Sequence, residues 1–371
     1  MGADFFEQGA PGFSSRFYPG SVSLHKGDTV HFFGFGSPIL FPEGMASVEA
    51  TERWQNDVGD RFFPLSTDPD EGPNAHKFND AAFSATPAGT GCGTQADPCE
   101  WDGSDPDEVF IPEMFEEVYV TITANAGDVI YGLLFGPHDS SFRIEVVGNN
   151  ETADTQAELD ARAGQLQSDD LNKALALHSR FSTKRTSHMT PNGKVYDVWA
   201  GVENGPVGLV GFYPRKITIT KGQRVQWHFD HEGMEVHNAV FPFDKALDIL
   251  QNTGLPVCDP DTDSGPAPDT EPVSFPDDGP PECPQGSVLE FDLHPDELFE
   301  AGNHLFTGNS DFENSGVRSG ETLQKGFFSE SPWTVKFKKT SDSQGWRYMC
   351  TIHGPGIMGG RIKVLPKAVR D

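Results

Sequence analysis

Phe17-Tyr18-Pro19-Gly20-Ser21-Val22-Ser23-Leu24-His25-Lys26-Gly27-Asp28-Thr29-Val30-His31-Phe32 aligns without gaps on Phe212-Tyr213-Pro214-Arg215-Lys216-Ile217-Thr218-Ile219-Thr220-Lys221-Gly222-Gln223-Arg224-Val225-Gln226-Trp227. Each stretch alternates apolar and polar residues around a Lys-Gly turn, which predicts two half-buried strands in a hairpin. A second gapless match sets residues 127–146 on 345–364, sharing Gly136-Pro137 with Gly354-Pro355 and Arg143-Ile144 with Arg361-Ile362. The chain therefore reads as one strand pattern written twice. Its 371 residues are enough for two or three domains with separate cores. With 40 Gly, 29 Pro and few long helical patterns, the expected class is all-β: two tandem sandwich domains.

Between the copies, Glu151 to Phe181 is rich in Ala, Leu, Gln, Asp and Glu. Leu159, Leu166, Leu171, Leu175 and Leu177 fall only partly on one stripe, which predicts one or two amphipathic helices. Asn192-Gly193 then turns into the second copy. The expected layout is a first domain over 1–148, a helical linker over 149–192 and a second domain over 193–371. Its first strand is read at Tyr196-Asp197-Val198-Trp199-Ala200-Gly201. The stretch from about 244 to 325 reads as a long, irregular, acidic insertion.

The chain carries 27 basic and 56 acidic residues, a formal net charge of −29. That balance argues against nucleic acid or anionic membrane as a partner. It fits a secreted protein in a salty or acid-tolerant setting, a surface that steers a basic redox partner, or solubility alone. No apolar run approaches the roughly 20 residues of a membrane span, and Met1 to Gly12 has no signal-peptide pattern. Cys92 and Cys99 bracket a small loop, and Cys258 and Cys283 bracket a long acidic, Pro-rich one. Two such pairs predict two disulfides and an extracytoplasmic location, with Cys350 left alone.

Cys350 sits in Tyr348-Met349-Cys350-Thr351-Ile352-His353-Gly354-Pro355-Gly356-Ile357-Met358-Gly359-Gly360. The spacing Cys-x2-His-x4-Met puts a thiolate, an imidazole and a thioether on one short loop. Thiolate and imidazole suit both copper oxidation states, and a weak axial thioether completes a blue-copper shell. Structural zinc would take four Cys or His ligands and no thioether. A second imidazole from a distant strand is expected at His237, in Val236-His237-Asn238-Ala239-Val240-Phe241. His228 and His231 lie on the same stretch and read as surface residues. His138 reads as a solvated loop residue. Met349, Trp346 and Tyr348 read as packing around the Cys strand, and the 29 Phe as sandwich core.

These residues and the strands around them resemble the cupredoxin family, the plastocyanin-like electron carriers. The resemblance covers the core strands of both copies and is strongest in the second. It implies two Greek-key β-sandwich domains and one type 1 copper per chain, held by His237, Cys350, His353 and Met358. It also implies that Asn238, after the first His, ties its loop to the Cys loop through Thr351. The Gly354-Pro355-Gly356-Ile357 segment would form a side-chain-poor rim around His353 where a partner approaches. Across the repeat, Cys350 falls on Gly132, His353 on Phe135, Met358 on Ser140 and His237 on Ser37, so the first copy is expected to bind no copper.

Two-domain relatives such as copper nitrite reductases and small laccases place His directly beside the type 1 Cys. Here the neighbours are Met349 and Thr351, and the chain contains no His-x-His pair. The expectation is an electron carrier rather than an enzyme, with a protein redox partner. Copper storage or delivery comes second, because delivery proteins favour clustered Met or His and the 7 Met here are scattered. A two-domain copper oxidoreductase comes third.

Overall fold

The computed structural model describes residues 3–33, 38–41, 92–104, 110, 117–134, 141–184, 186–229, 237–252, 257–259, 271–272, 288–290, 300–318 and 332–367. Of these, residues 3–4, 134, 251–252, 257–259, 271–272 and 288–290 are described by backbone alone. The protein is mostly β, in several mixed sheets, none of them closed. It divides into two compact units: one takes the described residues up to 175 together with 204–208, the other takes 176–203 and those from 209 onward.

The first unit contains β1 (Ala3–Asp4), β2 (Gly12–Ser14), β3 (Ser21–His25), β4 (Thr29–Phe32), β5 (Pro38–Leu40), β6 (Cys99–Trp101), β7 (Val118–Ile122), β8 (Val129–Leu134) and β9 (Ser141–Val147). Strands run β3-β9-β8-β5 in one sheet and β4-β7-β6 in another, so β3 and β4, on either side of the Lys26-Gly27 turn, join different sheets rather than pairing as the expected hairpin. Alternation sends Val120, Ile122, Ile130, Ile144 and Val146 into one buried cluster that both sheets share. The Phe32 and Phe142 rings, 5.4 Å apart, meet across it. Cys92 and Cys99 form the expected disulfide, with Cα atoms 4.9 Å apart, at the entry to β6. The expected partner of Cys258, Cys283, lies outside the described residues, as do His138, His231, Phe135, Ser140 and Ser37.

A single helix, α1 (Gln156–Thr183), occupies the segment between the copies. Thr155 and Glu158 make a reciprocal capping box: the Thr155 N–H donates to Glu158 Oε2 at 2.9 Å, and the Glu158 N–H donates to Thr155 Oγ1 at 3.4 Å. The backbone N–H and hydroxyl of Thr155 hold the Glu158 carboxyl below its ordinary range. Its inward positions include one polar residue, Asp170, buried in the first unit. There Asp170 Oδ2 accepts from Ser14 Oγ at 2.9 Å and Tyr18 Oη at 2.8 Å and meets Arg16 Nε at 3.2 Å. In the second unit, Phe181 packs on Trp199 and Tyr213. The helix is thus shared between the two compact units rather than standing apart as a linker.

The second unit contains β10 (Ser187–Thr190), most of β11 (Gly193–Asn204), most of β12 (Val207–Tyr213), β13 (Lys216–Thr220), β14 (Arg224–His228) and β15 (Val240–Phe241). Then come α2 (Phe243–Asn252), β16 (Val257–Asp259), β17 (Glu271–Pro272), β18 (Val288–Glu290), β19 (Glu300–Ala301), β20 (Leu305–Phe306) and β21 (Glu313–Ser315). β22 (Trp333–Phe337), β23 (Trp346–Met349), α3 (Gly354–Ile357) and β24 (Gly359–Leu365) complete it. One sheet runs β12-β11-β14-β22-β20, and the other runs β13-β24-β23-β15-β21-β19. Trp227 and Trp333 on the first face Phe241 and Tyr348 on the second, with centroids 5.4 Å apart for Trp227–Phe241 and for Trp227–Tyr348. Before β11, the strand β10 pairs with it as a hairpin, so the unit's sheet begins earlier than the expected first strand.

Several ladders recur in both units. Ser21 pairs in parallel with Arg143, and Lys216, its counterpart, pairs in parallel with Arg361. Phe32 opposite Val118 becomes Trp227 opposite Trp333. Trp101 opposite Ile122 becomes Phe306 opposite Phe337, both parallel. That last match corrects the reading of residues 244–325 as an irregular insertion. Among its described residues are the helix α2 and the strands β19, β20 and β21, which join the unit's two sheets, and β20 has a counterpart in the first unit, β6.

A second correction concerns the gapless alignment of the Cys strand. Gly132 pairs with Phe142 in the first unit, and Tyr348 pairs with Gly360 in the second. Residues 134–140 form a connection two residues shorter than 350–358, so the ladder sets Leu134, not Gly132, in the place of Cys350. On this shared rung the aromatic and the glycine have changed strands. Phe142 rests on Gly132 and against Phe17 at 4.1 Å, and Tyr348 rests on Gly360 and against Phe212 at 4.6 Å. One ring fills the same place from opposite sides, a volume-conserving exchange.

A Cβ added at Gly360 would lie 2.2 Å from Tyr348 Cζ, and that ring is 1% exposed, with nowhere to swing. Gly360→Ala should therefore destabilise the second unit by about 1–3 kcal/mol. Gly356→Ala, with nothing near its added Cβ, should stay within about 0.5 kcal/mol of the parent in the same urea titration.

Candidate metal centre

Three segments of the second unit converge on the site. His237 ends the loop before β15, Cys350 follows β23, and His353 precedes α3. One donor atom from each of His237, Cys350 and His353 lies within 4.8 Å of the others. The two imidazoles face each other through Nδ1 at 3.2 Å, and Cys350 Sγ lies 3.5 Å from His353 Nδ1. Metal–nitrogen bonds of about 2.0–2.1 Å and a metal–sulfur bond of about 2.3 Å set trigonal donors roughly 3.5–3.8 Å apart. A small outward movement of the rings therefore makes room for an ion. The group could hold a metal.

The fold explains why these side chains meet. Val240 pairs with Met349, which brings the His237 loop alongside the Cys loop. Asn238, fully buried, then clasps the two: its Nδ2 donates to Thr351 Oγ1 at 2.7 Å, and its Oδ1 accepts from the Thr351 N–H at 2.8 Å. The Asn238 N–H points at Cys350 Sγ from 3.5 Å. On its other side His237 exchanges both backbone hydrogen bonds with Arg318, at 2.9 and 2.8 Å.

Arg318 is itself buried. Its Nε donates to the Ser315 carbonyl at 2.8 Å, and its guanidinium pairs with Glu300. Burial pulls this guanidinium below arginine's ordinary range, while the Glu300 carboxylate opposes the shift. Nearby, the buried Glu313 carboxylate accepts the N–H groups of Asn303, His304 and Leu305, fixing the turn that leads into β20.

The loop from 350 to 358 closes on itself. Gly354, at φ +70°, donates its N–H to the Cys350 carbonyl at 3.1 Å, and the Met358 N–H donates to the Gly354 carbonyl at 2.9 Å. The Cys350 N–H donates to the Met358 carbonyl at 3.0 Å, which returns Met358 to the level of Cys350. Pro355 suits the first turn of α3, where its missing N–H costs nothing. His237, Cys350 and Met358 are buried, whereas His353 is half-buried beside the exposed Gly356 and Ile357.

No protein-family model matches this chain, and none of the curated proteins searched matches it.

The structure brings together His237, Cys350 and His353, joins Asn238 to Thr351 and buries Met358 on the same loop. It sets His228 apart: its Nε2 lies 2.9 Å from Asp197 Oδ1, and its ring stacks on Trp199. That half-buried, partnered place differs from the surface position expected for it. The sequence reading missed Arg318, Glu300 and Glu313, because they belong to the stretch read as irregular and no period marks them. Asn238→Ala should remove both sides of the clasp and weaken metal binding about 10- to 100-fold, measured by competition with a chromophoric chelator. Thr351→Val, which keeps the backbone half of the clasp, should weaken it less.

Proposed function

We propose that this protein is a type 1 blue-copper protein that carries single electrons between redox partners. The observation that carries the reading is the convergence of His237 Nδ1, His353 Nδ1 and Cys350 Sγ, with Met358 buried on the loop that carries Cys350 and His353. The donors fit the metal: a thiolate, two imidazoles and a thioether from Met358 form a set too soft for calcium or magnesium and unlike a closed zinc shell. Copper held there supplies a one-electron couple between its two oxidation states.

The chain's own residues would do the rest. The Asn238–Thr351 clasp and the Arg318 backbone pairing hold the ligand loops in one geometry, so little moves when the charge at the site changes. Burial of Cys350 and Met358 keeps water from the thiolate, and the Asn238 N–H offers it one weak donor. His353, half-exposed behind Pro355, Gly356 and Ile357, would be the edge that a redox partner approaches. The flanks of Cys350 favour a carrier over an oxidoreductase: Met349 packs with Val240, Ala246 and Ile249, and Thr351 is committed to Asn238. Burial of three of the four proposed ligands also favours a carrier over a delivery protein, which must release its metal.

In this reading both units are cupredoxin-like Greek-key sandwiches and the first carries no copper, with Leu134 where the second has Cys350. The disulfide Cys92–Cys99 supports an extracytoplasmic location. Among the described residues, no helix is long and apolar enough to cross a membrane.

Adding Cu(II) to the metal-free full chain should produce an intense visible thiolate-to-copper band and a reversible one-electron couple. Cys350→Ser should abolish the band. A colourless protein, or absorption indifferent to Cys350, would overturn the reading.

A further inference from the structure

Outside the His-Cys-His group, the outer face of the second unit's sheet carries an unusual rung. Lys216 stands opposite Arg361, and Arg361 stands opposite Arg347, on the adjacent strands β13, β24 and β23. Arg215 is the neighbour of Lys216 in the chain. Like charges placed directly opposite one another in a sheet repel. In a chain with 56 acidic residues, none of these four cations has a carboxylate partner among the described residues.

The four line a cleft of about 310 Å³ with Phe243, Tyr348, Pro355, Gly359 and Gly360. Three of them are already positioned. Arg215 Nε donates to the Gly359 carbonyl at 3.0 Å, and Arg361 Nη1 donates to Gln344 Oε1 at 3.1 Å. The Arg347 guanidinium lies 3.4 Å from the centre of the Phe243 ring. Each guanidinium has five N–H donors, so each keeps donors to spare after these contacts. Pre-placed forks of this kind suit the paired oxygens of carboxylates and phosphates.

We propose that this cleft binds a small, multiply charged oxyanion, a phosphate or a compact di- or tricarboxylate. Size follows from charge. The net charge of −29 repels an extended polyanion over the whole approach. A compact anion inside the cleft feels chiefly the cations that line it, because the attraction falls with distance. Bound there, it would relieve the repulsion along the rung and sit against Pro355 and Gly359, the two ends of the short segment that follows His353. The proposal holds whichever ion the His-Cys-His group takes.

The test is calorimetric titration of the full chain with inorganic phosphate, citrate and acetate at low ionic strength. Saturable one-site binding of phosphate or citrate is expected, much tighter than acetate and weakened by added NaCl. The better of the two identifies the anion class. Lys216→Gln/Arg361→Gln should weaken it about tenfold or more. Lys336→Gln, on the other sheet and outside the cleft, should leave it unchanged. In anion-free buffer the double variant should be at least as stable to urea as the parent, because a repulsive rung has been removed. No saturable binding by either multivalent anion, an unchanged affinity in the double variant, or an equal loss in Lys336→Gln would overturn the proposal.

Discussion

Asn238 holds the candidate site together. It is fully buried, and its side chain makes two hydrogen bonds to one residue on another loop, Thr351. A buried amide left without partners costs about 1–3 kcal/mol, so the two loops are held in register by the cost of letting go as much as by the bonds themselves. His237 lies one residue before the clasp, and Cys350 one residue before its other half. The imidazole and the thiol are thus brought together by a neutral pair.

Behind the clasp stand packed sheets, and the two units solve one packing problem in two ways. Each has a single large ring resting on a glycine across the rung that leads toward the loop. In one unit the ring comes from the strand after the loop, and in the other from the strand before it. Both leave the same volume filled. The strand that carries Cys350 therefore owes its path to Tyr348 and Gly360, two residues without metal chemistry.

Much of this was legible in the chain. Alternation on both sides of a Lys-Gly turn identified the flanking strands, because half-buried strands write their faces at period two, but not their pairing: β3 and β4, like β13 and β14, join different sheets instead of forming hairpins. The Cys-x2-His spacing marked Cys350 and His353 as a pair on one short loop, and the fold does bring them together with His237. The helix was legible as composition, although its length was not, since Asp170 breaks the apolar stripe at a position that proves to be inward. Less visible was anything that depends on partners distant in sequence. Short strands such as Leu305–Phe306 have no room for a period, and they were hidden within an acidic stretch. The two-residue offset at Cys350 escaped a gapless alignment because Gly132 and Tyr348 look unrelated until the ring is seen to have changed sides. Arg318 escaped for a related reason: its backbone positions His237, and backbone pairing leaves no mark on residue type.

Both units close through parallel pairing between strands far apart in the chain, Ser21–His25 with Ser141–Val147 and Lys216–Thr220 with Gly359–Leu365. Such closure is non-local, and non-local closure is slow. As the chain leaves the ribosome, the first unit has its closing strand once residue 147 is out. The second must wait for residues beyond 359, with Cys350 already emerged and its surroundings unfinished. Cys350 is the last of the five cysteines in the sequence, and the residues from Thr351 to Leu365 separate its appearance from the completed closing pair. The order of synthesis itself thus shortens the time for which a reactive sulfur stands open.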